Sequence, residues 1–204
     1  MTIQEIRSRL NGRAVGIMGT TRHFAVLVPL VEKNGQLHIL YEQRAATLHH
    51  QPNEVCFPGG RMEPGETPPE CALRETQEEL GIPCEQIQII AALDVLHHRS
   101  GFVLHPFLAL IDTNAAAQMT CSPAEVKDIF LVPLQALQDM TPAEYRYELV
   151  PQPGEDFPYD QIGISKDYPW QNGVETGSFY RWEDRVIWGM TARITRHLLD
   201  LLRP

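Results

Sequence analysis

Residues 60–82 read GRMEPGETPPECALRETQEELGI, and this stretch decides the fold because it specifies one short helix from end to end. Thr67 and Glu70 have the spacing of a capping box. The Pro-Pro pair between them loses no hydrogen bond, because the first amides of a helix have no intrahelical partner. Gly81 suits the left-handed residue that follows a last helical turn. These signals predict a helix over residues 68–80.

Three carboxylates, Glu75, Glu78 and Glu79, fall in the second half of this helix. Spacings of three and four residues place them on one helical face. The last turn carries the negative end of the helix dipole, so negative charge is destabilised there. A bound divalent cation would relieve this repulsion, and Mg²⁺ prefers carboxylate oxygens. The alternative is a solvated acidic face, with Arg74 paired to a neighbouring acid.

The spacing of the whole stretch resembles the Nudix box, and the chain is identified as a member of the Nudix hydrolase family. The box positions are filled by Gly60, Glu66, Arg74, Glu75, Glu78, Glu79, Gly81 and Ile82. Thr76 departs from the pattern, which has an aliphatic residue there. The resemblance implies an α/β protein, a Nudix-type α/β/α sandwich with a mixed β-sheet. It also implies metal-dependent hydrolysis of a nucleoside diphosphate linkage.

The resemblance implies a metal site at the end of the helix, with Mg²⁺ or Mn²⁺ as the cofactor. The expected ligands are Glu75 and Glu79, with Glu78 and the Gly60 carbonyl completing the set.

Four residues are expected to act in catalysis: Glu78, Arg74, Glu66 and Glu125. Arg74 would orient a carboxylate, either Glu66 or Glu75. The general base stays open between Glu78 and Glu125. Glu125 opens a predicted strand outside the box, and its alternative role is an ordinary surface acid.

The residues before the box resemble the coenzyme A pyrophosphatase branch of the family. Its signature is LLTxR[SA], three residues, R, three residues, G, three residues, FPGG. Arg44, Ala45 and residues 57–60 match in register, whereas Tyr41, Glu42, His49 and Asn53 depart from it. The expected substrate-binding residues are Arg44, Arg61, Phe57, Gly59 and Gly60. Guanidinium geometry makes Arg44 the best candidate for a phosphate contact.

This branch implies that coenzyme A or acyl-CoA is cleaved to 3′,5′-ADP and (acyl-)4′-phosphopantetheine. The four departures leave open a hydrolase of ADP-ribose, NADH or another nucleoside diphosphate. A different class is a ligand-sensing Nudix domain without turnover. Such domains tend to lose box acids or to carry an appended DNA-binding segment, and neither is expected here.

The length, composition and net charge of the chain limit the possible fold and function. Its 204 residues, 43% hydrophobic and 21% charged, are ordinary for one globular domain over residues 1–204. A net charge of −9 argues against nucleic-acid binding. No apolar run is long enough to span a membrane. The N-terminus lacks a signal-peptide core, residues 201–204 are not a peroxisomal address, and four cysteines without paired spacing predict a cytoplasmic protein. A homodimer stays open.

Periodicity predicts the remaining elements. A hairpin joins strands over 24–31 and 37–43, with Pro29 at a sheet edge or a bulge. Residues 141–177 are expected to form a long ordered loop or insertion rich in aromatics. The other predicted strands cover 86–96, 102–111, 125–132 and 178–188, and the other predicted helices cover 2–10, 134–139 and 190–202.

Overall fold

The protein was analysed as a computed structural model that describes residues 1–19 and 22–203; Pro204, the end of the C-terminal tetrapeptide, lies outside them. The helices are α1 Ile3–Leu10, α2 Pro68–Leu80, α3 Thr113–Ala117, α4 Leu134–Asp139, α5 Tyr159–Ile162 and α6 Gly189–Leu201. The strands are β1 Arg22–Lys33, β2 Gln36–Arg44, β3 Val55–Cys56, β4 Gly59–Arg61, β5 Ile87–Ala92, β6 Leu96–His98, β7 Phe102–Ile111, β8 Val126–Pro133, β9 Ala143–Leu149, β10 Gly173–Trp182 and β11 Arg185–Ile187. No helix among these residues is long and apolar enough to cross a bilayer.

A mixed sheet of eight strands forms the centre of the molecule. Its main path runs β3-β2-β1-β7-β5, with β4 beside β1, β6 beside β7 and β8 beside β2. β1 and β7 run parallel, from Arg22 opposite Phe102 to Val31 opposite Ile111. The other pairs in this sheet are antiparallel. The predicted mixed β-sheet is therefore confirmed.

Helices cover both faces of this sheet. Alternate residues of β1 and β2, among them Leu27 and Leu40, pack against α2 on one face. On the opposite face Tyr41 packs against α6, and its hydroxyl lies 3.0 Å from the Thr195 hydroxyl. The implied α/β/α sandwich is therefore confirmed.

Helix α2 has the predicted bounds and the predicted caps. The Glu70 carboxylate accepts from the Thr67 backbone N–H at 2.8 Å, and Gly81 takes the left-handed conformation at φ 68°. Thr76 is fully buried, and its hydroxyl donates to the Ala72 carbonyl at 2.7 Å. This bond satisfies the hydroxyl inside the helix, so threonine can occupy an aliphatic position of the box.

Pro29 does not lie at a sheet edge, because β1 has partners on both sides. On one side it pairs with Ala109 of β7. On the other side the β4 ladder ends at Val26 and the β2 ladder begins at Leu30. Proline is therefore tolerated in the gap between the β4 and β2 ladders, and the expectation of an edge strand is wrong because β1 lies inside the sheet.

The expectation of a loop over residues 141–177 is wrong at both ends. Strand β9 pairs with β10 from Leu149 opposite Gly173 to Ala143 opposite Phe179, and β11 completes a second sheet. The alternation of Tyr145 and Tyr147 with charged residues carries the strand period, but β9 is largely exposed and gives no apolar run. Between the strands, the aromatics of this segment pack against one another: Phe157, Tyr159, Tyr168 and Trp170.

Candidate active site

Arg74 gathers three acids on the outer side of α2. Its Nε and Nη2 donate to the two oxygens of Glu66 at 2.8 and 3.1 Å. Its Nη1 lies 2.9 Å from Glu75 and 3.1 Å from Glu78. The guanidinium lowers the pKa of Glu66 to about 2. The predicted contacts of Arg74 with Glu66 and Glu75 are thus present, and the Glu78 side chain remains 55% exposed.

Glu79 lies on the inner side of α2, against the sheet, and is only 4% exposed. Its Oε2 accepts from the Gly59 backbone N–H at 2.8 Å. Burial raises the pKa of Glu79, and the nearby charge of Glu42 raises it further, while the Gly59 bond opposes both. Burial also raises the pKa of Glu75, with Arg74 opposing. Arg74 thus forms ion pairs with Glu66, Glu75 and Glu78, whereas Glu79 has no ion pair within the described residues.

Two glycines let β4 approach α2 closely. A Cβ on Gly60 would lie 2.3–2.5 Å from the Glu75 carboxylate atoms, and a Cβ on Gly59 would lie 2.3 Å from the Ala25 carbonyl. Gly59 also has φ 148°, which side chains rarely adopt. The Gly60 carbonyl accepts a hydrogen bond from the Cys71 thiol, with 3.6 Å between oxygen and sulfur. Only glycine fits at these positions without displacing Glu75 or β1.

Glu42 of β2 is a site residue that the motifs did not identify. It is 1% exposed, and its Oε1 accepts from the Cys56 thiol at 3.1 Å. Burial raises the pKa of this carboxyl. A signal was present in the sequence, because Glu42 interrupts the apolar core of a predicted strand, where an unpaired acid is rare.

The loop before β8 caps the end of α2. The backbone N–H groups of Thr120 and Ser122 donate to the carbonyls of Leu80 and Glu79 at 3.0 and 2.8 Å. These carbonyls have no partner within the helix. The same loop brings the exposed Glu125 near enough for its charge to raise the pKa of Glu75 and of Glu79.

The expected substrate-binding side chains do not all converge. Arg44 is half-buried at the end of β2, and its charge acts on Glu42, so it lies beside the carboxylates. Phe57 lies in the core, 4% exposed and stacked on Tyr41 with ring centroids 5.0 Å apart. Side chains alternate along β4, and Gly60 faces α2, so Arg61 faces away from it. The structure therefore brings Arg44, Gly59 and Gly60 together with the acids, but not Phe57 or the Arg61 side chain.

The acids of the inner side fit a divalent cation. Glu79 and Glu42 are buried carboxyl groups with raised pKa values, and the Oε2 of Glu42 has no hydrogen-bond partner in the described part of the chain. Hard oxygen donors of this kind suit Mg²⁺ and Mn²⁺. Within residues 1–19 and 22–203, no three His, Cys, Asp or Glu side chains already form a complete ligand set. Glu75 lies against Gly60 and pairs with Arg74 at 2.9 Å.

The family follows from a comparison with known protein families. The model of the NUDIX domain matches residues 21–152, about two thirds of the chain. The chain belongs to the Nudix family. Its box residues are the acids, arginine and glycines described above, so the Nudix box accounts for both sides of α2.

Two curated Nudix relatives cover most of the chain. The peroxisomal coenzyme A diphosphatase NUDT7 of Mus musculus is 33% identical over 196 residues, which cover 94% of this chain and 76% of that protein. The uncharacterized Nudix hydrolase NudL of Photorhabdus laumondii is 32% identical over 178 residues, 87% of this chain and 83% of that protein. The protein is thus a Nudix hydrolase, and Nudix hydrolases generally use a divalent metal such as Mg²⁺ or Mn²⁺.

Among solved structures, a Caenorhabditis elegans Ap4A hydrolase binary complex is 25% identical. The match covers 55% of this chain and 80% of that chain, with a TM-score of 0.47. A similarity of this size adds nothing to the fold, which stands on the sheet and helices described above.

Proposed function

We propose that this Nudix hydrolase cleaves the diphosphate linkage of coenzyme A or acyl-CoA. The products would be 3′,5′-ADP and 4′-phosphopantetheine or its acyl form. The similarity to a coenzyme A diphosphatase over 94% of the chain carries this proposal. Arg44, Ala45 and residues 57–60 support it, because they match the branch signature in register and the stretch ends beside the acids of the site, although His49 and Asn53 depart from the signature.

The metal would be held by Glu79, on the inner side of α2, and by Glu75, which also contacts Arg74, with the Gly60 carbonyl as a further expected ligand. Glu78, also expected as a ligand, pairs with Arg74 on the outer side and is 55% exposed, so we assign it no metal contact. When bound, Mg²⁺ or Mn²⁺ neutralises charge on the diphosphate, which is the main requirement of phosphoryl transfer. The Gly59 N–H fixes the orientation of Glu79 at 2.8 Å. The absence of a side chain at Gly60 leaves the space that the Glu75 carboxylate occupies.

Arg74 and Glu66 would act as positioning residues. The bidentate bond between them ties the residues after β4 to α2. The same guanidinium also donates to the Arg61 carbonyl at 3.3 Å. This network fixes the distance between the glycines of β4 and the acids of α2.

The geometry favours Glu125 over Glu78 as the general base. Glu78 shares the Arg74 guanidinium at 3.1 Å, so its action as a base would disturb this ion pair. Glu125 is exposed, has no ion pair within the described residues and lies near Glu75 and Glu79. It could therefore remove a proton from the attacking water without breaking an ion pair.

Substrate phosphate would contact Arg44, whose backbone is anchored by the bond from its N–H to the Glu54 carbonyl at 2.9 Å. Phe57 would support the site from beneath by packing against Tyr41. The exposed Arg61 could reach an outlying phosphate of the substrate, away from the diphosphate. The binding partner that we propose is a small nucleotide substrate.

Two wider expectations remain proposals. A single domain over residues 1–204 is supported by the packing of α6 against β2 through Tyr41 and Thr195, because α6 lies beyond the matched residues 21–152. A cytoplasmic location is supported by the four cysteines, all of which are free.

A substrate panel tests the reaction. Purified protein with Mn²⁺ is given coenzyme A, dephospho-CoA, ADP-ribose and NADH, and the products are identified by mass spectrometry. We expect 3′,5′-ADP from coenzyme A and a lower kcat/KM for dephospho-CoA. The departures at His49 and Asn53 support the alternative of ADP-ribose or NADH. Rapid cleavage of either one, with coenzyme A left intact, would replace our proposal by that alternative.

The same panel separates turnover from ligand sensing. Glu79→Gln serves as the matched inactive variant, so that any residual activity can be assigned to contamination. Binding of the nucleotides without any product in the parent protein would indicate a sensing domain.

A further inference from the structure

We propose that Glu42 is a ligand of a divalent cation that it shares with Glu79, so that the metal site extends from α2 into strand β2. The inference rests on the metal-dependent function proposed above. It adds a carboxylate from outside the Nudix box.

Glu42 is buried, and one of its carboxylate oxygens is unused in the described part of the chain. Glu42 is 1% exposed, and the preceding Leu40 and Tyr41 are fully buried. Its Oε1 accepts from the Cys56 thiol, which is a weak donor. Its Oε2 is enclosed and has no partner in the described part of the chain. A buried carboxyl group with a free oxygen is costly unless a proton or a cation satisfies it.

The Glu42 side chain points toward α2. Side chains alternate along a strand, so Glu42 shares the face of Leu40, which packs under α2. Tyr41 points to the opposite face and stacks on Phe57. On α2, Glu79 turns toward the same face and meets the Gly59 N–H at 2.8 Å. The two buried acids therefore approach one another from adjacent layers, Glu42 from the sheet and Glu79 from α2. They are near enough for the charge of Glu42 to act on Glu79.

A divalent cation satisfies these buried acids better than a shared proton does. One proton neutralises a single negative charge, whereas a divalent cation neutralises two. The charges of Glu75 and Glu125 act on Glu79 as well. Arg44 is the cation that acts on Glu42, but it lies at the strand end. The two buried carboxyl groups, Glu42 and Glu79, are better matched by Mg²⁺ or Mn²⁺, which take several carboxylate oxygens, than by a single proton.

Mn²⁺ binding to the full chain tests the proposal. The number and affinity of bound ions are measured by EPR titration for the parent, Glu42→Gln, Glu42→Thr and Glu79→Gln. Threonine is the residue of the branch signature at this place. Glu32→Gln, an exposed acid on β1, is the matched control. We expect at least about tenfold weaker Mn²⁺ binding in both Glu42 variants, and parent-like binding in the control.

Thermal unfolding supplies a readout that a structural role alone would not give. In EDTA at pH 8, Glu42→Gln should unfold at the same temperature as the parent or above it, because a buried charge has been removed. With excess Mn²⁺ the order should reverse, because the parent gains stability from the ion and the variant gains less. Cys56→Ser should keep its Mn²⁺ affinity within about threefold, because it leaves the Glu42 oxygens in place.

The outcomes separate this inference from the proposed function. Parent-like Mn²⁺ affinity in Glu42→Gln, with loss of binding in Glu79→Gln, overturns the role of Glu42 and leaves the function intact. Parent-like affinity in both variants overturns the metal site itself.

A crystal of the unmodified protein soaked with Mn²⁺ decides the matter if the variants fail to fold. Anomalous density on the order of 2.1 Å from a Glu42 oxygen supports the proposal. Density bound to Glu75 and Glu79 without contact to Glu42 rejects it.

Discussion

Glu66 and Glu79 are both carboxylates of the Nudix box, yet they lie in opposite environments. Glu66 lies in the fork of the Arg74 guanidinium, at 2.8 and 3.1 Å, and the pKa of its carboxyl is lowered to about 2. Glu79 lies against the sheet, where one backbone N–H binds it and burial raises its pKa. The outer side of α2 satisfies its charges with the protein's own arginine. On the inner side, Glu79 has no ion pair with an Arg, Lys or His among residues 1–19 and 22–203, so a bound cation would act as its counter-ion.

The largest effect on activity is expected from a substitution on the inner side of α2 that leaves the outer side unchanged. Glu79→Gln should lower metal-dependent kcat/KM by roughly 100- to 1000-fold, the scale of losing one group that stabilises transition-state charge. Glu78→Gln is the matched control, because Glu78 is one residue away but 55% exposed and paired with Arg74. It should lower the rate by less than about tenfold. Equal losses in the two variants would show that the two sides of α2 do not differ in function.

A smaller effect on activity is expected from a substitution on the outer side of α2. Arg74→Lys keeps the charge but loses the fork that binds Glu66, and it should lower kcat/KM by about 10- to 100-fold, as loss of a supporting residue does. KM for Mn²⁺ should rise as well, because Arg74 also fixes Glu75. Arg203→Lys changes an exposed pair with Asp200 and should leave both parameters unchanged. An unaltered KM for Mn²⁺ in Arg74→Lys would contradict a positioning role.

Helix α2 was predictable because its signals are local. The Thr67–Glu70 box and Gly81 act within a few residues of the helix ends, and the structure has both ends as predicted. The role of Arg74 in orienting a carboxylate was also predictable from the family resemblance, which left Glu66 and Glu75 as alternatives, and the structure has both contacts. These features need no knowledge of what packs against the helix.

The inner side was not predictable in the same way. The face calculation placed Glu75, Glu78 and Glu79 together, but burial of Glu79 depends on where β4 approaches α2. The burial of Glu42 depends on α2 covering β2, which is a contact between residues far apart in sequence. The branch signature indicates Phe57 as a substrate-binding residue, and Arg61 is indicated only by its proximity to the motif, and neither signal reports the direction of a side chain. The alternation of β4 directs Arg61 away from α2.

The second sheet shows a different limit. β9 carries charged and aromatic residues in alternation and is largely exposed, so it has no apolar face that a sequence could reveal. Its pairing with β10 is set by backbone hydrogen bonds, from Leu149 opposite Gly173 onward. Backbone pairing leaves a weaker trace in composition than burial does.

The smallest expected effect concerns pH, and it contrasts the two sides within one protein. The lowered pKa of Glu66 contributes stability above pH 4.5, and this contribution is lost as pH falls toward about 2. The raised pKa values of Glu79 and Glu42 act in the opposite direction. Their contribution is present below pH 4.5 and is lost as pH rises through the raised values, because buried carboxyl groups must then ionise.

Melting temperature in EDTA should therefore decline on going from pH 6 to pH 8.5, and the decline should be smaller in Glu79→Gln. Excess Mn²⁺ should raise the melting temperature more at pH 8.5 than at pH 6, because the ion no longer competes with protons for the carboxylates. Differential scanning fluorimetry across this range checks both slopes. A stabilisation by Mn²⁺ that does not change with pH would mean that the ion binds carboxylates already ionised in the metal-free protein. The environments of Glu66 and Glu79 would then be alike in charge, and the contrast between the two sides of α2 would be wrong.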